Sequence, residues 1–209
     1  MAVYTYVTDQ NNRMVSRTMH YMLGTWTDDG SFINVIFQQN LEVLDIPFRI
    51  QRGVTIPPGV YRFNEVSFSY STNPARRFYE RLTYSPQQFY GGTLQEVNAA
   101  VGFRASSQLA TELQYRYNDG TLPYGRFRAD LGILRVDYAM SPRMTLGSLT
   151  QYNSSTHEVT NSIRFNFIYR PGSDLYVVYN DLNTTGLQLG AFAPSDRQFV
   201  VKFNYLLAR

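Results

Sequence analysis

Apolar and polar residues alternate along much of this chain with a period of two. In the segment 109–117 the odd positions are Leu109, Thr111, Leu113, Tyr115 and Tyr117, and the even positions are Ala110, Glu112, Gln114 and Arg116. Similar alternation runs through 97–105, 159–169 and 198–207. Successive side chains of a strand lie on opposite faces, whereas a helix of period 3.6 puts neither set on one face. The pattern therefore predicts β-strands.

Turn-forming dipeptides separate these segments. Asp29-Gly30 is typical of a tight hairpin. Pro171-Gly172 also suits a turn, because proline has a fixed φ and glycine accepts a positive φ. The sequence predicts eleven strands, at 14–27, 31–44, 61–71, 77–85, 93–105, 109–118, 126–139, 144–152, 158–169, 175–181 and 196–207, with a weaker twelfth at 2–8. No segment predicts a helix longer than two turns. We expect an all-β, antiparallel, up-and-down fold in one domain, residues 1–209.

The apolar pattern changes phase at two points. Between Ile133 and Leu134 it shifts from odd to even positions, and it shifts again near Phe63 and Val66. A β-bulge produces such a shift, and so does a strand that leaves the apolar layer. Both explanations stay open from the sequence.

The predicted connections alternate in length along the chain. Short ones follow residues 27, 71, 105, 139 and 169, and longer ones occupy 45–60, 86–92, 119–125, 153–157 and 182–195. Short turns at one end and long loops at the other are typical of outer-membrane β-barrels. Many predicted strands also match the roughly 9–11 tilted residues that cross a bilayer. We therefore expect a transmembrane barrel, although a soluble β-domain with its apolar face inward has the same alternation.

Composition narrows the function classes. Aromatic residues make up 15% of the chain and charged residues 17%, which excludes intrinsic disorder. Cysteine is absent, which excludes disulfides, thiolate metal sites and a Cys nucleophile. The Arg residues are scattered from Arg13 to Arg209, and Lys202 is the only Lys. Without a basic patch, we expect no nucleic-acid partner.

Export signals are missing from the sequence. The first ten residues lack a charged leader, an apolar core and a cleavage site. No stretch of 18 apolar residues predicts a spanning helix. An outer-membrane barrel has to be exported, so we expect a mature chain or a fragment, and we favour a fragment of a longer protein.

Aromatic residues lie near many predicted strand ends. Examples are Tyr84, Phe89, Tyr90, Tyr117, Tyr124, Tyr138, Tyr152, Tyr169, Tyr179 and Tyr205. In a membrane barrel such residues form girdles at the two interfaces. The alternative interpretation is that Tyr is simply a good strand former.

Charged residues within the predicted strands are the main candidates for a site. They are Glu96, Arg104, Glu112, Arg116, Arg164 and Lys202, and in a barrel we expect them to line the lumen. They either pair across strands and fix register, or they select solutes by charge. His20 and His157 lack metal-ligand spacing, and no nucleophile motif occurs. We predict no catalytic, cofactor-binding or metal-binding residue, and no cofactor.

Several short segments occur in a recognisable order. They are Ile56-Pro57-Pro58-Gly59 with Tyr61-Arg62-Phe63, Phe89-Tyr90-Gly91-Gly92, Val136-Asp137-Tyr138-Ala139 with Ser141-Pro142-Arg143, Gln151-Tyr152-Asn153-Ser154, and Tyr169-Arg170-Pro171-Gly172-Ser173-Asp174-Leu175 with Val178-Tyr179-Asn180. From about Arg13 to Leu207 the chain resembles the C-terminal barrel region of an uncharacterised bacterial outer-membrane family, domain of unknown function 5916.

The resemblance implies a large outer-membrane barrel, often downstream of a periplasmic module similar to family-nine carbohydrate-binding domains. We therefore expect a Gram-negative outer-membrane barrel that anchors, or conducts for, a larger protein handling polymers such as carbohydrate. Its expected partners are outer-membrane lipid and, if the chain is a fragment, the upstream module or missing barrel strands. The alternatives are an outer-membrane-associated hydrolase and a soluble carbohydrate-binding β-domain.

Overall fold

The computed structural model describes residues 1–185 and 192–206, and every regular element there is a β-strand. The strands are β1 (Ala2–Thr8), β2 (Met14–Trp26), β3 (Phe32–Leu44), β4 (Phe48–Gln51), β5 (Val54–Ile56), β6 (Gly59–Ser71), β7 (Phe78–Phe89), β8 (Gly92–Arg104), β9 (Leu109–Leu122), β10 (Gly125–Ser141), β11 (Met144–Asn153), β12 (Glu158–Arg170), β13 (Ser173–Thr185) and β14 (Phe192–Asn204). Within the described ranges, no helix is long and apolar enough to cross a membrane.

Twelve of the strands form one sheet in chain order, from β1 to β3 and then from β6 to β14. The two short strands β4 and β5 pair with each other in a separate two-stranded sheet. Neighbours such as β2 and β3, or β12 and β13, run antiparallel. The predicted all-β, antiparallel, up-and-down fold is confirmed, and each of the twelve predicted strands overlaps a strand of this sheet.

Contacts divide the chain into two compact units: residues 1–74, 80–99 and 116–129 form the first, and residues 75–79, 100–115 and 130–209 form the second. In the first unit, Val35 of β3 lies opposite Leu23 of β2 and Phe68 of β6, and all three side chains are exposed. Asn34 lies opposite Gly24 and Ser69 on the other side. We call these two sides the apolar face and the polar face.

The second unit has the same two faces. Phe165 of β12 lies opposite Val177 of β13, which lies opposite Val201 of β14, and this is its apolar face. The next residue of each strand faces the other way, so that Arg164 lies opposite Val178, which lies opposite Val200. Alternation in the middle of β12–β14 therefore places Arg164 and Lys202 on the polar face, whereas nearer one end the ion pair of Arg197 and Asp181 lies on the same side as Val177 and Val201.

Neither phase break is a bulge in the pairing of β6 with β3 or of β10 with β11. The register of β6 on β3 is continuous from Gly59 to Ser71, and that of β10 on β11 is continuous from Leu131 to Ala139. Each strand continues without an inserted residue, and it is the large apolar side chains that move from one face of the sheet to the other. In β6 the cause is visible, because Phe63 is buried on the polar face whereas Phe68 is exposed on the apolar face.

Phe63 belongs to the main buried cluster of the first unit. The cluster consists of Val54, Ile56, Phe63, Tyr90, Leu94, Leu122 and Phe127, and we call it the hairpin cluster. Two of its members come from β5, and the others come from β6, the β7–β8 turn, β8, β9 and β10. The buried core of this unit therefore lies where the β4–β5 hairpin covers the polar face.

The predicted alternation of short and long connections is wrong. Strands β7 and β8 meet in the two-residue turn Tyr90-Gly91, and β9 and β10 are joined by residues 123–124, where the sequence predicted loops at 86–92 and 119–125. Tyr90 and Gly91 have φ of 42° and 82°, which suits a tight hairpin. The predicted loop at 182–195 includes residues outside the described part of the chain. The connection at 45–58 is long, as predicted, and contains the β4–β5 hairpin.

Candidate functional site

The apolar face of the second unit is open to the surroundings. Phe199, Val201 and Phe203 of β14 are 67%, 55% and 62% exposed. Phe165 and Phe167 of β12 are partly exposed as well. A soluble β-domain would bury such side chains together in its interior. Contiguous exposed apolar surface instead marks contact with another protein or a membrane.

The polar face of the second unit holds a cleft of about 700 Å³. Its polar lining includes Arg104 of β8, Asp137 of β10, Arg164 and Asn166 of β12, and Tyr176 of β13. The alternation described above places these residues away from the apolar face, since Arg164 alternates with Phe165. The cleft is large enough to hold several water molecules or a small polar solute.

Arg164 lies at the centre of this polar surface. It lies opposite Gly147 on one side, where there is no side chain, and opposite Val178 on the other. It also lines a smaller adjoining cleft of about 180 Å³ together with Arg135 and Asp137. No carboxylate in the described ranges lies within ion-pair distance of its guanidinium. Arg164 is therefore available to a solute.

A buried acceptor adds to the polarity of the larger cleft. The side-chain oxygen Oδ1 of Asn166 is inaccessible and has no hydrogen-bond partner within the described part of the chain. Leaving such a group unpaired is unfavourable, and its burial keeps it out of reach of a solute in the cleft.

The lining of the two clefts carries a net positive charge. Arg104, Arg135 and Arg164 line the two clefts against one carboxylate, Asp137. Outside the clefts, Lys202 adds an exposed cation to the same face, and Asp174 and Asp196 add carboxylates. Guanidinium and ammonium groups attract anions and repel cations in the water-filled part of a protein.

Glu112 and Arg104 make contacts within the second unit. Glu112 accepts a hydrogen bond from the Tyr79 hydroxyl at 2.8 Å and another from the Gln114 amide. The Arg104 guanidinium lies 5.8 Å from the centre of the Tyr79 ring. Tyr79 thus holds Glu112 and stacks near Arg104, which fits a structural role for the carboxylate.

Glu96 and Arg116 belong to the first unit. Glu96 is half-buried on β8 and accepts a hydrogen bond from Gln87 of β7 at 2.7 Å. Arg116 is exposed on β9. Gln87 lies opposite Glu65 of β6, so this part of the polar face is acidic.

Sequence reasoning missed two parts of the polar face. Arg135 and Asp137 alternate with apolar residues on β10, but the phase break before them obscured which face they occupy. The β4–β5 hairpin was missed because its strands of four and three residues are too short to show a period. The phase breaks were the available signal, since β6 and β10 both contribute to the hairpin cluster.

The predicted aromatic girdles contain residues of two kinds. Tyr84, Tyr138, Tyr152 and Tyr205 are exposed, as a girdle requires. Tyr90 is a buried member of the hairpin cluster, against which Phe89 and Tyr124 pack. The Tyr90 hydroxyl donates a hydrogen bond to Glu42. The pKa of Tyr90 is raised mainly by burial, and this hydrogen bond raises it further. Phe89, Tyr90 and Tyr124 are therefore core residues of the first unit.

Neither histidine is part of a recognisable metal site. His20 lies on β2 opposite Gln38 of β3, and His157 lies in the β11–β12 connection with a positive φ of 55°. Within the described ranges, no group of three His, Asp or Glu side chains is placed to hold a metal ion.

Comparisons with known proteins return only distant similarities. No family model matches the chain, and no curated protein matches it. Among solved structures, the chain is similar to the NanC porin, with 13% identity and a TM-score of 0.44 over 92% of this chain and 94% of that one. It is also similar to the KdgM porin, alone and in complex with disordered oligogalacturonate, with 12% identity and a TM-score of 0.37 over 80% and 85% of the two chains.

Proposed function

We propose that this chain is a β-barrel of a Gram-negative outer membrane and works as a porin-like channel that favours anionic solutes. The observation that carries the proposal is the two-faced sheet, with large exposed apolar side chains on one side and unpaired Arg side chains around a cleft on the other. Hydrocarbon stabilises the apolar face, and water stabilises the polar face.

The lipid-facing part of the proposal rests on exposure. Leu23 on β2 is 81% exposed and Phe203 on β14 is 62% exposed, and both lie on the apolar face of their unit. Exposing such side chains to water costs about 1.5–3 kcal/mol each relative to burial. Because this face recurs on strand after strand, a lipid environment is the simplest way to stabilise it.

The strand order would allow the twelve-stranded sheet to close into a barrel. An up-and-down sheet with an even number of strands leaves its first and last strands antiparallel, so β1 and β14 can pair. A lipid-exposed sheet edge is not tolerated, because its backbone groups have no partners there. We therefore propose that the two edges pair with each other or with further strands of a longer protein.

The channel part of the proposal rests on charge. Arg104, Arg135 and Arg164 outnumber Asp137 around the two clefts of the second unit, and a purely structural set of charges would pair within the sheet. The resemblance to domain of unknown function 5916 supports an additional role as the anchor of a protein that handles polymers such as carbohydrate.

Planar-bilayer recording tests this function. The detergent-purified chain should produce discrete current steps, and in a KCl gradient the reversal potential should show a preference for Cl⁻. The R104E/R164E variant should lose or invert that preference, because two cations of the lining become anions. R13E/R143E is the matched control, since both exposed side chains lie in connections between strands and outside the two clefts. Absence of current steps would rule out the channel and leave only the anchor.

A further inference from the structure

The connection between β3 and β6 forms a small structure of its own. Phe48 pairs with Ile56 and Gln51 pairs with Val54 across the β4–β5 hairpin, and Gly53 has a φ of +89° in the turn between them. The hairpin is a separate sheet, so the backbone ladder of the twelve-stranded sheet does not hold it. Its position depends on side-chain packing.

That packing places the hairpin on the polar face of the first unit. Val54 and Ile56 are 3% and 0% exposed, and they belong to the hairpin cluster with Phe63 and Leu94. Phe63 shares its face with Ser67 and Ser69, because these residues are separated by even intervals on β6. The hairpin therefore covers the side that carries hydrophilic residues further along the same strand.

The hairpin is held at several points. The Tyr61 hydroxyl of β6 donates to the carbonyl of Pro57 at 2.8 Å, just beyond β5. The rings of Phe48 and Tyr90 lie 6.3 Å apart, between β4 and the β7–β8 turn. With Val54 and Ile56 buried between these contacts, the hairpin has little freedom to move away from the sheet.

We propose that the β4–β5 hairpin is a fixed constriction that sets the size limit of the channel. This inference rests on the proposed function, in which the polar face lines the channel, so that a segment covering this face occupies part of its cross-section. Thr55 lies between the buried residues of β5 and is exposed, so its side chain is on the side of the hairpin away from the hairpin cluster.

Removing the hairpin should widen the channel. Leu44 and Gly59 lie opposite each other at the ends of β3 and β6, so a short Gly-Ser turn can replace residues 45–58. In phosphatidylcholine bilayers the shortened chain should show a higher single-channel conductance than the native chain. It should also admit larger polyethylene glycols, as judged by their effect on the current.

Adding bulk should have the opposite effect without disturbing the hairpin cluster. T55W should lower the conductance and the polyethylene glycol size limit. V60W is the matched control, because Val60 is exposed on the opposite face of β6 from Phe63 and Tyr61, and its conductance should equal that of the native chain. This pair decides the question even if the shortened chain does not fold.

The outcomes separate the two proposals. A native chain that gives no current steps overturns the proposed function before any variant is compared. A native chain that conducts, with T55W indistinguishable from V60W and the shortened chain unchanged, overturns the constriction and leaves the channel in place.

Discussion

Ile56 is the residue on which the β4–β5 hairpin depends most. Its side chain is fully buried in the hairpin cluster, whereas Ile46, in the same connection, is 75% exposed. I56A should destabilise the folded chain by about 2–5 kcal/mol, because it removes apolar contacts and leaves a cavity. I46A should change stability by no more than about 0.5 kcal/mol. Guanidinium unfolding of the two variants in lipid vesicles, followed by fluorescence, measures both values.

Equal stability of the two variants would contradict the position assigned to the hairpin. The comparison is well matched, since it removes the same atoms from two isoleucines ten residues apart in sequence. Any difference then reports burial and not residue type.

The sequence could predict faces but not partners for the site residues. Alternation places Arg164 on the opposite side from Phe165 whatever the rest of the chain does. That Glu112 accepts a hydrogen bond from Tyr79 depends on which strands are neighbours and in what register, and the two residues are 33 positions apart. Local patterns contain no information about such a pair.

At the scale of the strands, prediction was close in three strands that contribute nothing to the hairpin cluster. The strands at 2–8, 14–26 and 144–153 agree with the predicted ones to within a residue or so at either end. It failed at the ends of β7 and β9, where Phe89 and Leu122 continue the strands towards two-residue turns. Leu122 belongs to the hairpin cluster and Phe89 packs against it. Because these apolar side chains lie on the polar face, apolar and polar residues no longer alternate there.

Strand β14 offers a direct test of the two faces. Val201 lies on the apolar face opposite Val177, and its neighbour Val200 lies on the polar face opposite Val178. In a membrane barrel V201R should destabilise the protein by about 2–4 kcal/mol near the bilayer midplane. V200R should have little effect, because its charge remains in water. Reversible unfolding from lipid vesicles measures the difference.

A sheet whose apolar face meets water would behave differently in this comparison. Val201 is already 55% exposed, so in water an Arg at that position should be tolerated as well as one at position 200. Equal stabilities for V201R and V200R would therefore count against a lipid-facing sheet.

For the whole molecule, the central claim concerns the medium that covers the apolar face. Contact with lipid can be measured by Trp fluorescence in vesicles of brominated phosphatidylcholine, since bromine quenches a nearby indole. Trp26 is the only Trp of the chain, so W26F provides a background without signal. Val177 and Val178 are adjacent on β13 and lie on the apolar and polar faces respectively.

We expect V177W in the W26F background to be strongly quenched by brominated lipid and poorly quenched by aqueous iodide. V178W, on the face that carries Arg164, should show the reverse. Quenching of both variants by iodide alone, or stronger quenching of V178W than of V177W by brominated lipid, would contradict the account.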